Sequence, residues 1–176
     1  YLGAFIAETL RLYPPVALAP WETTRNISAT LSIRGNDTPV ELPAGVWLMF
    51  DIKRVNESAY EDGTDFKPER HLDEQGNFNI RDLLKRLDGD QRNFHTFSGA
   101  SKDHSDKMGR TCPGRWMSVV EMMSVVYTLV QHYDLHAKDK NMQDLEKVSC
   151  DFESPSTLHP VQDVYLHLTP RTHISA

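Results

Sequence analysis

Apolar side chains recur at roughly helical spacing at the start of the chain, at Leu2, Phe5, Ile6, Leu10 and Leu12, and predict a helix over residues 1–13. Pro14-Pro15 ends it, because proline has no N–H and drives the preceding residue out of the helical region. The pattern then shortens into strands between residues 20 and 55. Thr30 to Ile33 alternate, Gly35-Asn36-Asp37 supplies a turn, and Val40-Glu41-Leu42 leads into Pro43-Ala44-Gly45. The apolar run Val46-Trp47-Leu48-Met49-Phe50 has the length of a strand. Residues 56–111 are mostly polar and irregular, apart from a short helical candidate from Ile80 to Leu87; so long a stretch is unusual unless it packs around something. The clearest helix follows over residues 114–133. Pro113 suits its first turn, and Trp116, Val119, Val120, Met123, Val126, Tyr127 and Val130 predict a wide apolar face. Residues 148–170 return to β, with Val164, Leu166 and Leu168 alternating with polar neighbours before Pro170-Arg171. No internal repeat, low-complexity tract or linker divides the chain, so it reads as one unit of mixed α and β structure.

Composition narrows the classes of function. With 176 residues, 39% hydrophobic and 25% charged, the chain can build a core. A net charge of −6 with scattered basic residues argues against a nucleic-acid partner. Two cysteines are too few for the disulfide framework of a small secreted domain, and Cys150 reads as a free, half-buried thiol. No apolar run reaches the ~18 residues of a membrane-spanning helix. The chain opens on Tyr1-Leu2-Gly3-Ala4-Phe5, without Met and inside a helix, which reads as a fragment of a longer protein.

Three short motifs carry chemistry. Glu8 and Arg11 sit at i and i+3 on one face of an otherwise apolar helix. An exposed pair of this kind is commonplace, but one that is partly buried needs further partners to offset its desolvation. Arg70, in Phe66-Lys67-Pro68-Glu69-Arg70, is a candidate third member, since a forked guanidinium bridges a carboxylate and carbonyls together. The strongest signal is Gly109-Arg110-Thr111-Cys112-Pro113-Gly114-Arg115-Trp116, directly before the long helix. A thiolate at a helix N-terminus meets the positive dipole end and free N–H groups. Gly114, lacking Cβ, lets amides approach that sulfur. Arg110 is placed to reach an anionic cofactor edge. For this octapeptide alone, a buried structural cysteine is the competing explanation.

Taken in order, Glu-x-x-Arg on a helix, Pro-Glu-Arg, then Arg-x-Cys-Pro-Gly before a long apolar helix resembles the cytochrome P450 family. Glu8 to Pro15 is similar to the family's helix K, Leu42-Pro43-Ala44-Gly45-Val46 to its strand turn, and Thr169-Pro170-Arg171 to its usual ending. The resemblance covers nearly the whole chain. It implies the haem-proximal, C-terminal part of a single P450 domain over residues 1–176, mixed α and β here and mainly α in the full enzyme.

The resemblance also implies roles. Glu8, Arg11 and Arg70 would form the structural triad that holds the meander loop. Phe97 would pack near the cysteine sulfur, Arg110 would bind a propionate of haem b, Gly114 would shape the ligand loop, and Cys112 would be the axial iron ligand. A thiolate ligand favours O–O cleavage and insertion of oxygen into C–H or C=C bonds. The implied activity is a monooxygenase using O₂, with electrons from an NADPH-dependent reductase or a ferredoxin, on a small lipophilic organic substrate. The oxygen-activating helix lies upstream, so no catalytic proton-delivery residue is expected here. Membrane contact would come only through the absent N-terminal region. For a eukaryotic source, the implied location is the cytoplasmic face of the endoplasmic reticulum membrane.

Two departures qualify the resemblance. Phe97 and Cys112 stand fifteen positions apart, where the family's loop has seven. The insertion of about eight residues lies between Gly99 and Gly109; it is polar and is expected at the surface. Allene oxide synthases and related hydroperoxide isomerases and lyases also carry an enlarged cysteine loop, which makes that reaction the alternative; an inactive truncated remnant is another. Trp21 stands where many members carry a propionate-binding Arg or His, with Arg25 four residues later as a weaker substitute. His95 and His104 lack the spacing of a metal site and read as surface histidines.

Overall fold

A computed structural model of the chain describes residues 1–33, 35–83, 95–97, 112–146, 148, 150–152 and 157–172. Helix α1 spans Leu2–Leu12. It stops one residue short of the prolines because Tyr13, restricted by Pro14, leaves the helical region at φ −125°, ψ 63°. Strand β1 (Leu18–Glu22) runs antiparallel to β4 (Trp47–Asp51), with Leu18 opposite Asp51 and Glu22 opposite Trp47. Between them projects a hairpin of β2 (Ile27–Ile33) and β3 (Asn36–Leu42). Ile33 pairs with Asn36 there, and Gly35 supplies the turn at φ +80°, a conformation costly for any residue with a Cβ. Buried Thr23 closes the base of this region: its hydroxyl donates to Pro43 O at 2.7 Å and accepts from Val46 N at 2.9 Å.

Helix α2 (Ile52–Ser58) starts where β4 ends; residues 52–55 fall in the stretch read as strands and the rest in the irregular stretch that follows. Its start is set by Asp51, whose carboxylate accepts the Arg54 amide at 2.9 Å. Only Ile52 and Asn56 are buried, a single i,i+4 pair, so the helix carries almost no periodic signal. Turns and a 3₁₀ turn at Pro68–His71 follow, then a bridge between Leu72 and Phe78. Ile80 to Leu83 are helical, and the rest of the Ile80–Leu87 candidate lies outside the described residues.

Helix α3 spans Arg115–His132 with Gly114 as its N-cap. Pro113 therefore precedes the cap instead of occupying the first turn. Strand β5 (Tyr133–Lys138) continues without a break and pairs antiparallel with β8 (Tyr165–Pro170). Sequence periodicity had not resolved β5 from the end of the helix. β6 (Cys150–Phe152) and β7 (Leu158–Pro160) form a separate pair. Every residue of β8 is exposed, so Leu166 and Leu168 do not mark a buried face within this chain. A sheet of two strands has too little surface to bury a face by itself.

The core lies where α1 meets α3. Ile6, Ala7, Leu10, Leu83, Phe97 and Val119 form it, with Phe78, Met122, Met123 and Val126 packed at its edge. The apolar face of α3 is accordingly narrower in contact than its sequence predicts: Val119 is buried, while Val120 and Tyr127 remain more than half exposed.

Candidate functional site

The site is assembled in three steps, beginning from a carboxylate with no access to solvent. Glu8 and Arg11 are both fully buried. Arg11 binds Glu8 through two parallel bonds, Nε to Oε2 and Nη2 to Oε1, each 2.8 Å. Its remaining hydrogens reach the carbonyls of Asn56 (3.1 Å), Gly63 (2.7 Å) and Asp65 (3.2 Å). Arg70 joins the same carboxylate, Nε to Oε1 at 3.2 Å, and donates to Asp62 O at 2.7 Å. The expected three-residue network is therefore present. It has two further donors that the motif did not disclose: the Lys67 amide, 2.9 Å from Oε1, and His71 Nε2, 2.9 Å from Oε2.

Burial alone would push the Glu8 pKa up. Hydrogen bonds from Arg11, the Lys67 amide and His71 outweigh it and hold the pKa down at about 2. With Glu8 ionised, His71 must carry its proton on Nε2 to make this contact. The ring of Tyr60 lies against both guanidinium groups, 4.7 Å from Arg70 Cζ and 5.5 Å from Arg11 Cζ. The network thus ties residues 56–71, which are short of regular ladder bonds, to helix α1.

The second step passes through Asn56. Its side chain is fully buried, donates to Arg11 O at 3.0 Å and accepts the His95 amide at 2.7 Å. Thr96, also buried, donates its hydroxyl to Leu10 O at 2.7 Å. The third step is Phe97, whose ring enters the core and whose carbonyl accepts the Cys112 amide at 3.0 Å.

Cys112 is exposed within this chain, not buried as the competing structural reading expects. It lines a cavity of about 460 Å³ shared with Val16, Ala19, Trp21, Ile52 and Phe97. That volume falls in the range of small-molecule and cofactor pockets, roughly 300–1,000 Å³. The lining is mainly apolar, with Trp21 held edge-on by Phe50 at 6.0 Å. A thiol opening onto such a wall fits a large flat apolar cofactor that takes one metal ligand from the protein. The Cys112 carbonyl accepts from the Arg115 side chain at 3.0 Å, while Gly114 O accepts the Ser118 amide at 2.9 Å in the first turn of α3. A Cβ on Gly114 would meet Cys112 Sγ at 3.9 Å, an ordinary contact; crowding therefore does not demand glycine there.

The other sequence-derived candidates divide. Trp21 lines the cavity, while Arg25 is exposed and is not among the lining residues described. Arg110, His104 and the insertion between Gly99 and Gly109 lie outside the described residues. His95 is half-buried and tied through its amide, not a surface histidine. Cys150 is exposed at the start of β6 instead of half-buried. Asn56 and Thr96 escaped the sequence reading, because a buried asparagine in a polar stretch has no periodic signature.

A family model described as cytochrome P450 matches residues 1–157. The chain belongs to the cytochrome P450 family. Among curated P450 relatives it is similar to cytochrome P450 monooxygenase 128 of Postia placenta (strain ATCC 44394 / Madison 698-R), 31% identical over 144 residues, 76% of this chain and 24% of that protein. It is also similar to protopine 6-monooxygenase of Eschscholzia californica, 27% identical over 98% of this chain and 28% of that protein. The chain thus spans about a quarter of the length of the curated relatives it matches. A crystal structure of a cytochrome P450 (CYP102L1) superposes over 98% of this chain and 32% of its own, with a TM-score of 0.63 at 18% identity, which shows a P450 fold.

Proposed function

We propose that residues 1–176 are the C-terminal, cofactor-ligating part of a haem-thiolate monooxygenase domain, in which Cys112 would ligate the haem iron. The observation that carries this reading is the placement of Cys112, exposed on an apolar cavity wall and hydrogen-bonded through its amide to buried Phe97. Haem b held there would supply activation of O₂ for insertion of one oxygen atom into an organic substrate. Electrons would come from an NADPH-dependent reductase or a ferredoxin, and the substrate would be a small lipophilic organic molecule, as the family resemblance implies.

This chain's own residues have positioning tasks. The Glu8 network fixes residues 56–71 against α1, Asn56 and Thr96 hold residues 95–96, and Phe97 carries the Cys112 amide. Trp21, Ile52 and Phe97 exclude water from the cavity beside the thiol. Arg110 is assigned to a haem propionate on sequence grounds.

The test is the ferrous–CO absorption spectrum of the haem-loaded protein beside Cys112→Ser. A strongly red-shifted Soret band lost in the variant supports the reading; an unshifted band in the parent overturns it. The enlarged segment between Phe97 and Cys112 favours one second reading, a fatty-acid hydroperoxide isomerase or lyase. Turnover of a lipid hydroperoxide without NADPH, reductase or O₂ would select it.

A further inference from the structure

Fifteen positions separate Phe97 from Cys112 in sequence, and 98–111 lie outside the described residues. Cys112 is held on one side by the start of α3, where its carbonyl accepts from the Arg115 amide at 3.3 Å and side chain at 3.0 Å, and on the other by the Phe97 carbonyl, which its amide meets at 3.0 Å. The second of these supports is only as fixed as residues 95–97, which belong to no helix or strand. Phe97 is fixed by its ring in the core, and the two residues before it are bonded to α1 and α2. The His95 amide goes to Asn56 Oδ1 at 2.7 Å, the Thr96 hydroxyl goes to Leu10 O at 2.7 Å, and Asn56 Nδ2 lies 3.4 Å from Thr96 Oγ1.

Asn56 is in turn immobilised from both ends. Its Nδ2 donates to Arg11 O at 3.0 Å, and its own carbonyl accepts from Arg11 Nη1 at 3.1 Å. A buried amide that satisfies its donor and acceptor on two different segments sets the spacing between them, because losing either bond leaves a buried polar group unpaired. The Asn56 side chain bridges the Arg11 backbone to the segment under Cys112.

We propose that Asn56 is a positioning residue for the cysteine ligand, setting the placement of Cys112 through His95, Thr96 and Phe97. This rests on the reading of Cys112 as the haem ligand. Asn56 is not itself among the residues lining the cavity, so its effect reaches the cysteine through Thr96 and that backbone path.

The test compares haem-loaded wild type with Asn56→Ala, Asn56→Asp and Thr96→Val, and with Asn26→Ala as a reference. Asn26 Oδ1 accepts the Ala44 amide at 3.0 Å, a similar bond on the exposed hairpin base and away from the site. Three quantities are read: the share of ferrous–CO signal in the red-shifted thiolate band, the thermal midpoint, and hydrogen exchange at the Cys112 amide in the haem-free chain.

Asn56→Ala is expected to move much of the signal to the unshifted band and to speed exchange at Cys112 by roughly tenfold. Asn56→Asp, which keeps the acceptor for His95, should restore most of the thiolate band even though it loses the donor to Arg11. Thr96→Val should give an intermediate loss, and Asn26→Ala none. Wild-type spectra, exchange and band share in all three site variants would overturn the proposal, as would an equal spectral loss in Asn26→Ala. If Asn56→Ala does not fold, Asn56→Asp and Thr96→Val decide on the same readouts. Absence of a thiolate band in wild type would instead refute the haem-ligand reading, and the exchange measurement in the haem-free chain would still judge the backbone path.

Discussion

Glu8 and Arg70, 62 residues apart in sequence, meet at 3.2 Å around a carboxylate with no solvent exposure. Closing a loop of that length is entropically costly, and a lone ion pair taken out of water repays little of it. The contact persists because Glu8 accepts five donors at once, so each of its lone-pair directions is used.

Arg11→Ala is expected to cost roughly 3–5 kcal/mol, since it takes two of five donors from a buried carboxylate and removes the Arg11 donors to three carbonyls. Arg11→Lys should recover little of this, because an ammonium cannot make the paired bonds to both Glu8 oxygens. Chemical unfolding of the two variants checks it; a Lys variant near wild type would contradict the geometry.

Acid should unfold the chain through Glu8. Its pKa is lowered in the fold from 4.5 to about 2, so the ionised form adds stability that is fully present above the unfolded value. That stability is lost as pH falls from about 4.5 toward 2. Glu8→Gln should lower stability at neutral pH and flatten this acid limb, readable as urea midpoints at successive pH values.

Gly63→Ala should be among the most damaging small changes. A Cβ there would lie 1.6 Å from the Glu57 carbonyl oxygen, and the backbone carbonyl of Gly63 accepts from Arg11 at 2.7 Å. Relieving the clash moves that carbonyl, so a loss of roughly 3 kcal/mol or more is expected. Gly76→Ala, at φ +78° with open space around it, should cost only about 1–2 kcal/mol from backbone strain. Thermal midpoints of the pair separate crowding from conformation.

Phe97→Ala should do two things at once. It empties part of the core shared with Ile6, Leu10, Leu83 and Val119, at roughly 3–5 kcal/mol, and it opens the cavity wall beside Cys112. Val119→Ala thins the same core without touching that wall. Loss of the red-shifted ferrous–CO band in the first variant and its retention in the second would place Phe97 at the site as well as in the core.

Much of this was legible in the chain alone. Helix α1 and the long helix α3 announced themselves by period, the β2–β3 hairpin by alternation around Gly35, and Cys112 by its neighbours Arg110, Pro113 and Gly114. Glu8, Arg11 and Arg70 were readable as candidates because charges interrupting an apolar helix must find partners. These are local signals, written in spacings of a few residues. Helix α2, strand β5, the fourth and fifth donors on Glu8, and the bridge from Asn56 to His95 were not written that way. Each depends on which backbone groups from distant segments are left needing a partner after packing. A sequence states what a residue can donate or accept, but only the folded chain determines which carbonyl or amide arrives within 3 Å of it.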